Sequence, residues 1–333
     1  MNKTLGIFGP YPPPLGGISV HIERMEHFLD KENIDYIIYN HGYSENKKVV
    51  ATNKKLFWYL KMLFLKKLNT FHFHQFFFFH FIFYLIFSFL RKEKIIVTIH
   101  SERILLYNRI KKIFVLFFIR KTKRLKLISV SQNLNSFFNE RGIKSVFLPA
   151  YVPPNSVEEI KIKSSKKMIL FSTWKFNEKL ANEIYNAPLA FEYLSRNKNI
   201  YKMLFMVGNR SGSDEKYLQK LISKYGIDKN IIIIYNENLV NYLNNCVLLL
   251  RPNLSDGYGV SLQEAMDLGI PAVASNVCER PKGTILFKNN DIEDLSLKIE
   301  SIKNIPSKNI LQEKENLDYH LQLIEIYKTS IYE

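Results

Sequence analysis

Apolar residues along this chain fall into two alternating kinds of run: short β-rich stretches, and helix-length segments whose apolar positions recur at helical spacing. The short runs of the first half are TLGIFG (4–9), DYIIYN (35–40), NTFHFH (69–74), KIIVTIH (94–100), LKLISVS (125–131) and SVFLP (145–149). After the Pro-containing, charged link PAYVPPNSVEEIKIKSSKK the pattern restarts with MILFS (168–172), KMLFMVG (202–208), IIIIY (231–235), CVLLL (246–250), PAVAS (271–275) and TILF (284–287). Strands that alternate with helices imply parallel sheets covered on both faces. The chain therefore reads as α/β, with two doubly wound domains, 1–153 and 165–312, facing each other across a cleft. Residues 313–333 read as a last helix, with Leu317, Leu321, Ile324 and Ile331 near one face, able to pack back on the first domain.

One apolar run admits three readings. FHFHQFFFFHFIFYLIFSFL (71–90) sits in a stretch, Leu68 to Leu90, without a single Lys, Arg, Asp or Glu. A membrane span needs about 20 apolar residues, whereas the solid part, Phe76 to Leu90, is 15 long and interrupted by His80. His72 and His74 have no acidic or Cys companions close by in the sequence, so a metal site is not expected. The run splits instead into a strand, a turn near Gln75 and a helix buried against the sheet. That leaves His74 and Gln75 at the carboxyl end of a strand, where an acceptor could bind.

Composition narrows the function. With 333 residues and 47% hydrophobic content, the chain is enough for two cored domains and is not a disordered protein. The opening MNKTLGIFG has no leader-like apolar region, which predicts a cytoplasmic protein. Cys246 and Cys278 are too few and too far apart for a disulfide framework or zinc site, and read as reduced structural thiols. Net charge is +16, and it belongs to the first half: residues 1–150 carry 24 Lys and Arg against 9 Asp and Glu, residues 151–333 carry 23 against 22. RILLYNRIKKIFVLFFIRKTKRLK (103–126) holds nine basic residues and no acid, and KKLFWYLKMLFLKK (54–67) has the same character, with Trp58 and Tyr59 suited to a headgroup boundary. Such helices fit an anionic membrane surface; a solvated basic face without a partner remains open. Nucleic acid is not expected, since zinc-finger spacing, RNP-like aromatics and basic-zipper heptads are absent from the sequence.

In open parallel sheets, ligands bind beyond the carboxyl ends of the strands. After the first strand comes GPYPPPLGGISVHIERM, in which Gly16 and Gly17 precede a helix from about Ile18. Two glycines allow close approach of backbone to a ligand, and helix-start amides favour a phosphate. The loop is neither GxGxxG nor a P-loop. A stronger signal is RPNLSDGYGVSLQEAMDLGIPAVAS (251–275), which runs from a buried strand through a Gly-containing loop into a helix near Val260. Asp256 and Glu264 lie eight residues apart, flanking helix-start amides at Val260 and Ser261 that Gly257 and Gly259 leave open. Two carboxylate acceptors around an anion site suit a ligand with both hydroxyls and phosphates, such as a nucleotide sugar.

The stretch DGYGVSLQEAMDLGIPAVAS resembles the donor-binding motif of family 4 glycosyltransferases, E-x7-E, present here as D-x7-E. GPYPPPLGGISVHIERM is similar to that family's Gly-Gly loop, TIH ending in His100 to its T-x-H, and VSQNL with FLPAYVPP to its VS and P-N-G-V region. The resemblance implies a GT-B fold of two Rossmann-like domains and transfer of a sugar from a nucleoside-diphosphate sugar with retention of configuration. The acceptor it implies is a glycan, here expected to be lipid-linked, in surface polysaccharide synthesis at the inner face of the membrane. No metal or other cofactor is implied beyond the nucleotide sugar as co-substrate. Carried over by motif, Glu264 takes the ribose hydroxyls, Asp256 the hydroxyls of the donor sugar, and Gly257, Tyr258, Gly259, Val260 and Ser261 meet sugar and diphosphate. Gly16 and Gly17 close on the diphosphate, and His100 stands beside the reacting sugar as the catalytic partner together with Asp256.

Two departures from the family pattern stand out. Asp256 replaces the commoner Glu, and the G-R-x4-5-K run expected after MILFS is STWKFNEKLANEIY, where Lys175 and Lys179 are the nearby cations; Lys179 is placed on the diphosphate. Alternatives are a non-catalytic polyanion- or membrane-binding protein on an inactive GT-B fold, or another GT-B enzyme such as a nucleotide-sugar epimerase.

Overall fold

The computed structural model describes residues 4–13, 15–40, 42, 44–51, 68–74, 78–211, 213–302 and 318–332. The expectations for 54–67, for Gln75 and for Leu317 lie outside the described residues. The chain divides into two compact units, the first built from residues up to Pro13, Gly17–Val152 and the segment from Asp318, the second mainly from Pro153–Leu317.

The first unit holds strands β1 (Thr4–Phe8), β2 (Tyr36–Asn40), β3 (Val49–Ala51), β4 (Leu68–Phe73), β5 (Lys94–Ile99), β6 (Leu125–Ser129) and β7 (Ser145–Phe147). All pair in parallel, in the order β3-β2-β1-β4-β5-β6-β7. Its helices are α1 (Gly17–Lys31), α2 (Phe78–Leu90), α3 (Arg109–Lys121) and α4 (Gln132–Asn139). Growth of the sheet reverses between β1 and β4, so their carboxyl ends diverge and open a crevice. Gly9, just past β1, must be glycine because α1 passes close: a Cβ there would meet Ile22 Cδ1 at 2.5 Å and His74 Cβ at 3.0 Å.

Phe71, Phe73, Phe81, Tyr84 and Phe87 fill one face of the sheet, with Ile95 and Val97. The apolar run at 71–90 is thus β4 followed, after a short connection, by α2, a 13-residue helix. Among the described residues no helix is long and apolar enough to cross a membrane. The expected helix against the sheet is present, with Phe81, Tyr84 and Phe87 inward, while α2 also exposes Ile86, Phe89 and Leu90. Its partner α3 buries only Val115 and Ile119 and exposes Ile110, Ile113, Phe114 and Phe117.

The other face is closed by α1 and by the C-terminal helix α10, whose range, Tyr319–Tyr332, follows those of the second unit. Leu323, Ile324, Ile326, Tyr327 and Ile331 of that helix pack with Leu5, Ile7, Ile38 and Ile96. Leu321, expected on this face, is exposed; the buried stripe runs through 323, 324, 326, 327, 330 and 331 instead. Polar bonds pin the helix to the strands beneath. Thr70 Oγ1 donates to Ser330 O at 3.0 Å, and Tyr327 Oη lies 2.7 Å from His72 Nδ1, whose Nε2 is 2.8 Å from Thr98 Oγ1.

The second unit repeats the plan with β8 (Lys167–Thr173), β9 (Tyr201–Val207), β10 (Ile231–Tyr235), β11 (Cys246–Arg251), β12 (Ala272–Ser275) and β13 (Ile285–Phe287). The order is β10-β9-β8-β11-β12-β13, all parallel, with reversal between β8 and β11. Helices α5 (Glu178–Glu183), α6 (Ala187–Arg196), α7 (Glu215–Tyr225), α8 (Val260–Asp267) and α9 (Ile292–Ile302) lie between the strands. One face packs Phe171, Phe191, Phe205 and Leu218; the other packs Leu170, Leu204, Leu249, Leu262 and Ala265. Helix starts are capped where the sequence permits, as by Asn177 on Leu180 N and Asp214 on Tyr217 N.

Replacing Tyr327 by Phe leaves packing in place but strips His72 Nδ1 of its partner at a fully buried position. The expected loss is about 1–3 kcal/mol of stability, read as a shift of the urea midpoint at unchanged slope.

Candidate functional site

Each unit presents chemistry at its reversal point. In the first, four imidazoles gather there. His72 comes from β4, His74 and His100 from the residues after β4 and β5, and His21 from the first turns of α1. His74 Nδ1 lies 3.0 Å from His100 Nε2, the rings of His72 and His74 are 3.9 Å apart, and His21 is 5.3 Å from His74 and 6.0 Å from His100 between centroids. His21 Nδ1 donates to Ala150 O at 3.1 Å, which fixes its tautomer with Nε2 as the acceptor. The structure therefore joins the two sequence-predicted histidines, His74 and His100, directly. It adds His21, which the sequence placed beside the Gly-Gly loop without marking it.

Burial decides the charge of this cluster. Desolvation pushes His21 down to about 4 and His100 down to about 3, the nearby Arg24 adding to the first and His21 to the second. His72 and His74 are also driven well below the ordinary imidazole range, by burial first and by their neighbours next. All four are neutral at physiological pH, and a neutral imidazole offers one donor and one acceptor nitrogen. Among the described residues, no group of three or more His, Cys, Asp or Glu is placed to hold a metal ion.

In the second unit the loop after β11 leads into α8 through Gly259, at φ +81°, where a Cβ would come within 2.8 Å of Leu262 Cδ1. Glycine at this helix start supplies no capping side chain, which leaves the first amides of α8 to other partners. Glu264 is buried on α8, as is Tyr258 in the loop, and Ser261 lies in the first turn. Gly17 opens α1 of the first unit, preceded by Gly16, and a Cβ at Gly17 would meet nothing within 4 Å.

Asp256 is gripped by donors of the protein itself. Its Oδ1 accepts from Arg251 Nη2 at 2.7 Å and from Gly257 N at 2.9 Å; its Oδ2 accepts from Arg251 Nε and from Arg280 Nη1 at 2.5 Å. Its four acceptor directions each meet a donor of the protein. Burial alone would raise its pKa, but the charges of Arg251 and Arg280 overcome this and hold it at about 2. Arg280 is tied further to Ser275 O at 3.2 Å and Gly257 O at 3.2 Å, knitting the end of β12 to the loop. Cys278 Sγ donates to the same Gly257 O at 2.9 Å.

Lys179 is exposed on the short α5 and makes no hydrogen bond or ion pair with this cluster, while Lys175 Nζ sits 4.8 Å from the Trp174 ring centroid. Arg251 had a sequence signal, a lone charge closing the apolar run CVLLL. Arg280 had none, because its partner is 24 residues away.

Residues 154–317 match the family model described as glycosyl transferases group 1. Protein CapJ of Staphylococcus aureus is 30% identical over 158 residues, 44% of this chain and 36% of CapJ, so the match spans about a third of that relative's length. Among solved structures, sucrose-phosphate synthase of Thermosynechococcus elongatus superposes at TM-score 0.74 and 12% identity, covering 98% of both chains. Anabaena Alr3699/HepE in complex with UDP-glucose does so at TM-score 0.74 and 11% identity, covering 98% of this chain and 99% of its own.

The histidine cluster sets a pH dependence. Each histidine binds a proton when unfolded below pH 6.5 and refuses it when folded, so stability is full above about 6.5 and falls as pH drops toward 4. The contribution of Asp256 persists above about 3.8 and is lost only toward 2. Thermal melts between pH 7.5 and 4.5 are expected to show the fall, and His21→Gln should shallow it by up to about 1.4 kcal/mol per pH unit. Residues 154–317 thus match the glycosyl transferases group 1 model, on a chain of GT-B architecture.

Proposed function

We propose that this protein transfers a sugar from a nucleoside-diphosphate sugar to a lipid-linked glycan acceptor, with retention of anomeric configuration, in the synthesis of a surface polysaccharide. The observation that carries the reading is the group 1 match over 154–317, centred on a parallel sheet whose switch-point loop and α8 bear Gly257, Gly259, Ser261 and Glu264. The solved HepE complex, of the same fold, holds UDP-glucose. In this reading Glu264 takes the ribose hydroxyls, and the amides from Gly257 to Ser261 face sugar and diphosphate. Gly16 and Gly17 approach the diphosphate. His100, neutral and fixed by His74, offers a hydrogen bond to the reacting sugar, and His74 borders the acceptor.

The chemistry asks little of a nucleophile. A glycosidic bond to diphosphate breaks when the negative charge growing on the leaving oxygens is met by oriented donors in a dry site. Holding acceptor and donor in register supplies the remaining advantage. Protein donors fill the charge-neutralising role here, without a metal ion. A neutral His100 suits this task, because it hydrogen-bonds sugar hydroxyls without placing a second positive charge at the reacting centre.

The membrane part of the proposal rests on α2 and α3. Ile86, Phe89, Leu90, Ile110, Ile113, Phe114 and Phe117 stand exposed, with Arg109, Lys111, Arg120, Lys121, Lys123 and Arg124 around them on the surface. Apolar residues among cations fit a bilayer with anionic headgroups, each cation contributing roughly 1 kcal/mol near such a surface.

A thermal-shift panel of UDP, GDP, ADP and CMP sugars is expected to show stabilisation by one donor class. Glu264→Gln should weaken that donor by about 1.5–3 kcal/mol in calorimetry. Salt-sensitive polyanion binding with no saturable nucleotide-sugar site would sink the reading, and turnover of the donor without any acceptor would replace it with an epimerase. Separately, the protein should co-sediment with phosphatidylglycerol vesicles and leave them at high salt, and Phe114→Ser with Phe117→Ser should abolish the binding. Retention on vesicles until detergent is added would count against the peripheral mode.

A further inference from the structure

We propose that Arg251, clamped by Asp256 and backed by Arg280, is a cation that receives the diphosphate of the donor; the inference rests on the function proposed above. Arg251 ends β11, beside β8, so its guanidinium stands at the reversal point of the second sheet. Its side chain is 21% exposed, against 1% for Arg280 and 8% for Asp256. Of the two arginines, Arg251 is the one that solvent reaches.

The hydrogen bonds fit this assignment. Asp256 takes the Nε and one Nη2 proton of Arg251, a bidentate grip that sets the plane of the guanidinium. Ser261 Oγ, in the first turn of α8, accepts from Nη1 at 3.2 Å. The remaining N–H groups on Nη1 and Nη2 make no hydrogen bond with the described residues. A planar fork held on one edge and open on another is suited to a phosphate pair, as a mobile lysine is not.

Charge points the same way. Two guanidiniums and one carboxylate leave one positive charge in excess at a largely buried place, and the uncapped start of α8 adds a partial positive charge beside it. Buried charge without a counter-charge is costly. A diphosphate supplies the missing negative charge. Two further polar atoms at these strand ends, Thr173 Oγ1 and Asn253 Oδ1, are buried without a hydrogen-bond partner among the described residues, as expected where the protein's own bonding is incomplete. Asp256 on this account is a positioning residue, acting on the donor through Arg251 and not through a sugar hydroxyl.

The test is calorimetry on the full chain with UDP, GDP and ADP, with their nucleosides, and with inorganic pyrophosphate. Arg251→Met is expected to weaken the preferred diphosphate and pyrophosphate by about 10- to 150-fold, while nucleoside affinity stays within about threefold. Arg251→Lys, which keeps the charge but loses the fork, should fall between, so the proposal stays open to refutation if the Met variant fails to fold. Asp256→Asn should weaken the diphosphate and its sugar ester by the same factor; loss confined to the sugar ester would restore Asp256 as a sugar ligand and overturn the clamp. Arg251→Met or Arg251→Lys binding diphosphate as the native protein does would overturn this inference alone. A native protein that binds none of the diphosphates and no pyrophosphate would overturn both it and the proposed function.

Discussion

Every strand pairing in both sheets is parallel, and this constraint organises the rest. Parallel neighbours cannot be joined by a tight turn, so the chain must cross back over a face, usually as a helix, and both faces end up covered. Strands buried on both sides become almost wholly apolar, as in MILF (168–171) of β8 or LLL (248–250) of β11. Polar side chains are pushed to the carboxyl ends, where crossovers diverge at β1/β4 and at β8/β11. His74 and His100 in one unit, and Arg251 and Asp256 in the other, occupy those ends for the same geometric reason.

What each end can do chemically is then decided by burial and by the neighbours it collects. In the first unit the clustered groups are all imidazoles, with no carboxylate among their hydrogen-bond partners in the described residues, so desolvation wins and they stay neutral. In the second, a carboxylate is buried to a similar degree but finds two guanidiniums, and the Coulomb gain exceeds the desolvation penalty. One crevice therefore carries neutral hydrogen-bonding rings, the other a fixed positive excess. A neutral polar surface suits hydroxyl-rich ligands; a positive one suits phosphates. The division of labour between sugar hydroxyls and diphosphate in the proposed reaction follows from that contrast.

The surface of the first unit departs from the usual polar exterior because α2 and α3 carry more apolar residues than a two-layer packing can hide. α3 spends Val115 and Ile119 on the interior, with Leu116 and Phe118 partly buried beside them, while Ile110, Ile113, Phe114 and Phe117 stay exposed. Lys123 lies over the exposed Phe89 ring at 4.6 Å, which keeps a cation beside apolar surface. Such a mixture is unfavourable in water alone and favourable where headgroups and acyl chains meet.

The sequence by itself determined the alternation of strands and helices, since period-2 and period-3.6 patterns are local, and it determined the loop and helix that begin at Asp256. Twelve apolar runs were readable, but β3, three residues of Val-Val-Ala at a sheet edge, was too short to show a period. The D-x7-E spacing located the loop, yet not what its Asp touches. Only the tertiary structure brought Arg280 across 24 residues to Asp256, set His21 against His74 and His100, and turned Leu321 outward while Tyr327 turned in to His72. The reason is physical: a periodic pattern encodes which face of an element is apolar, whereas the partner of a buried charge or imidazole depends on which distant strand ends and loops the sheet order makes adjacent.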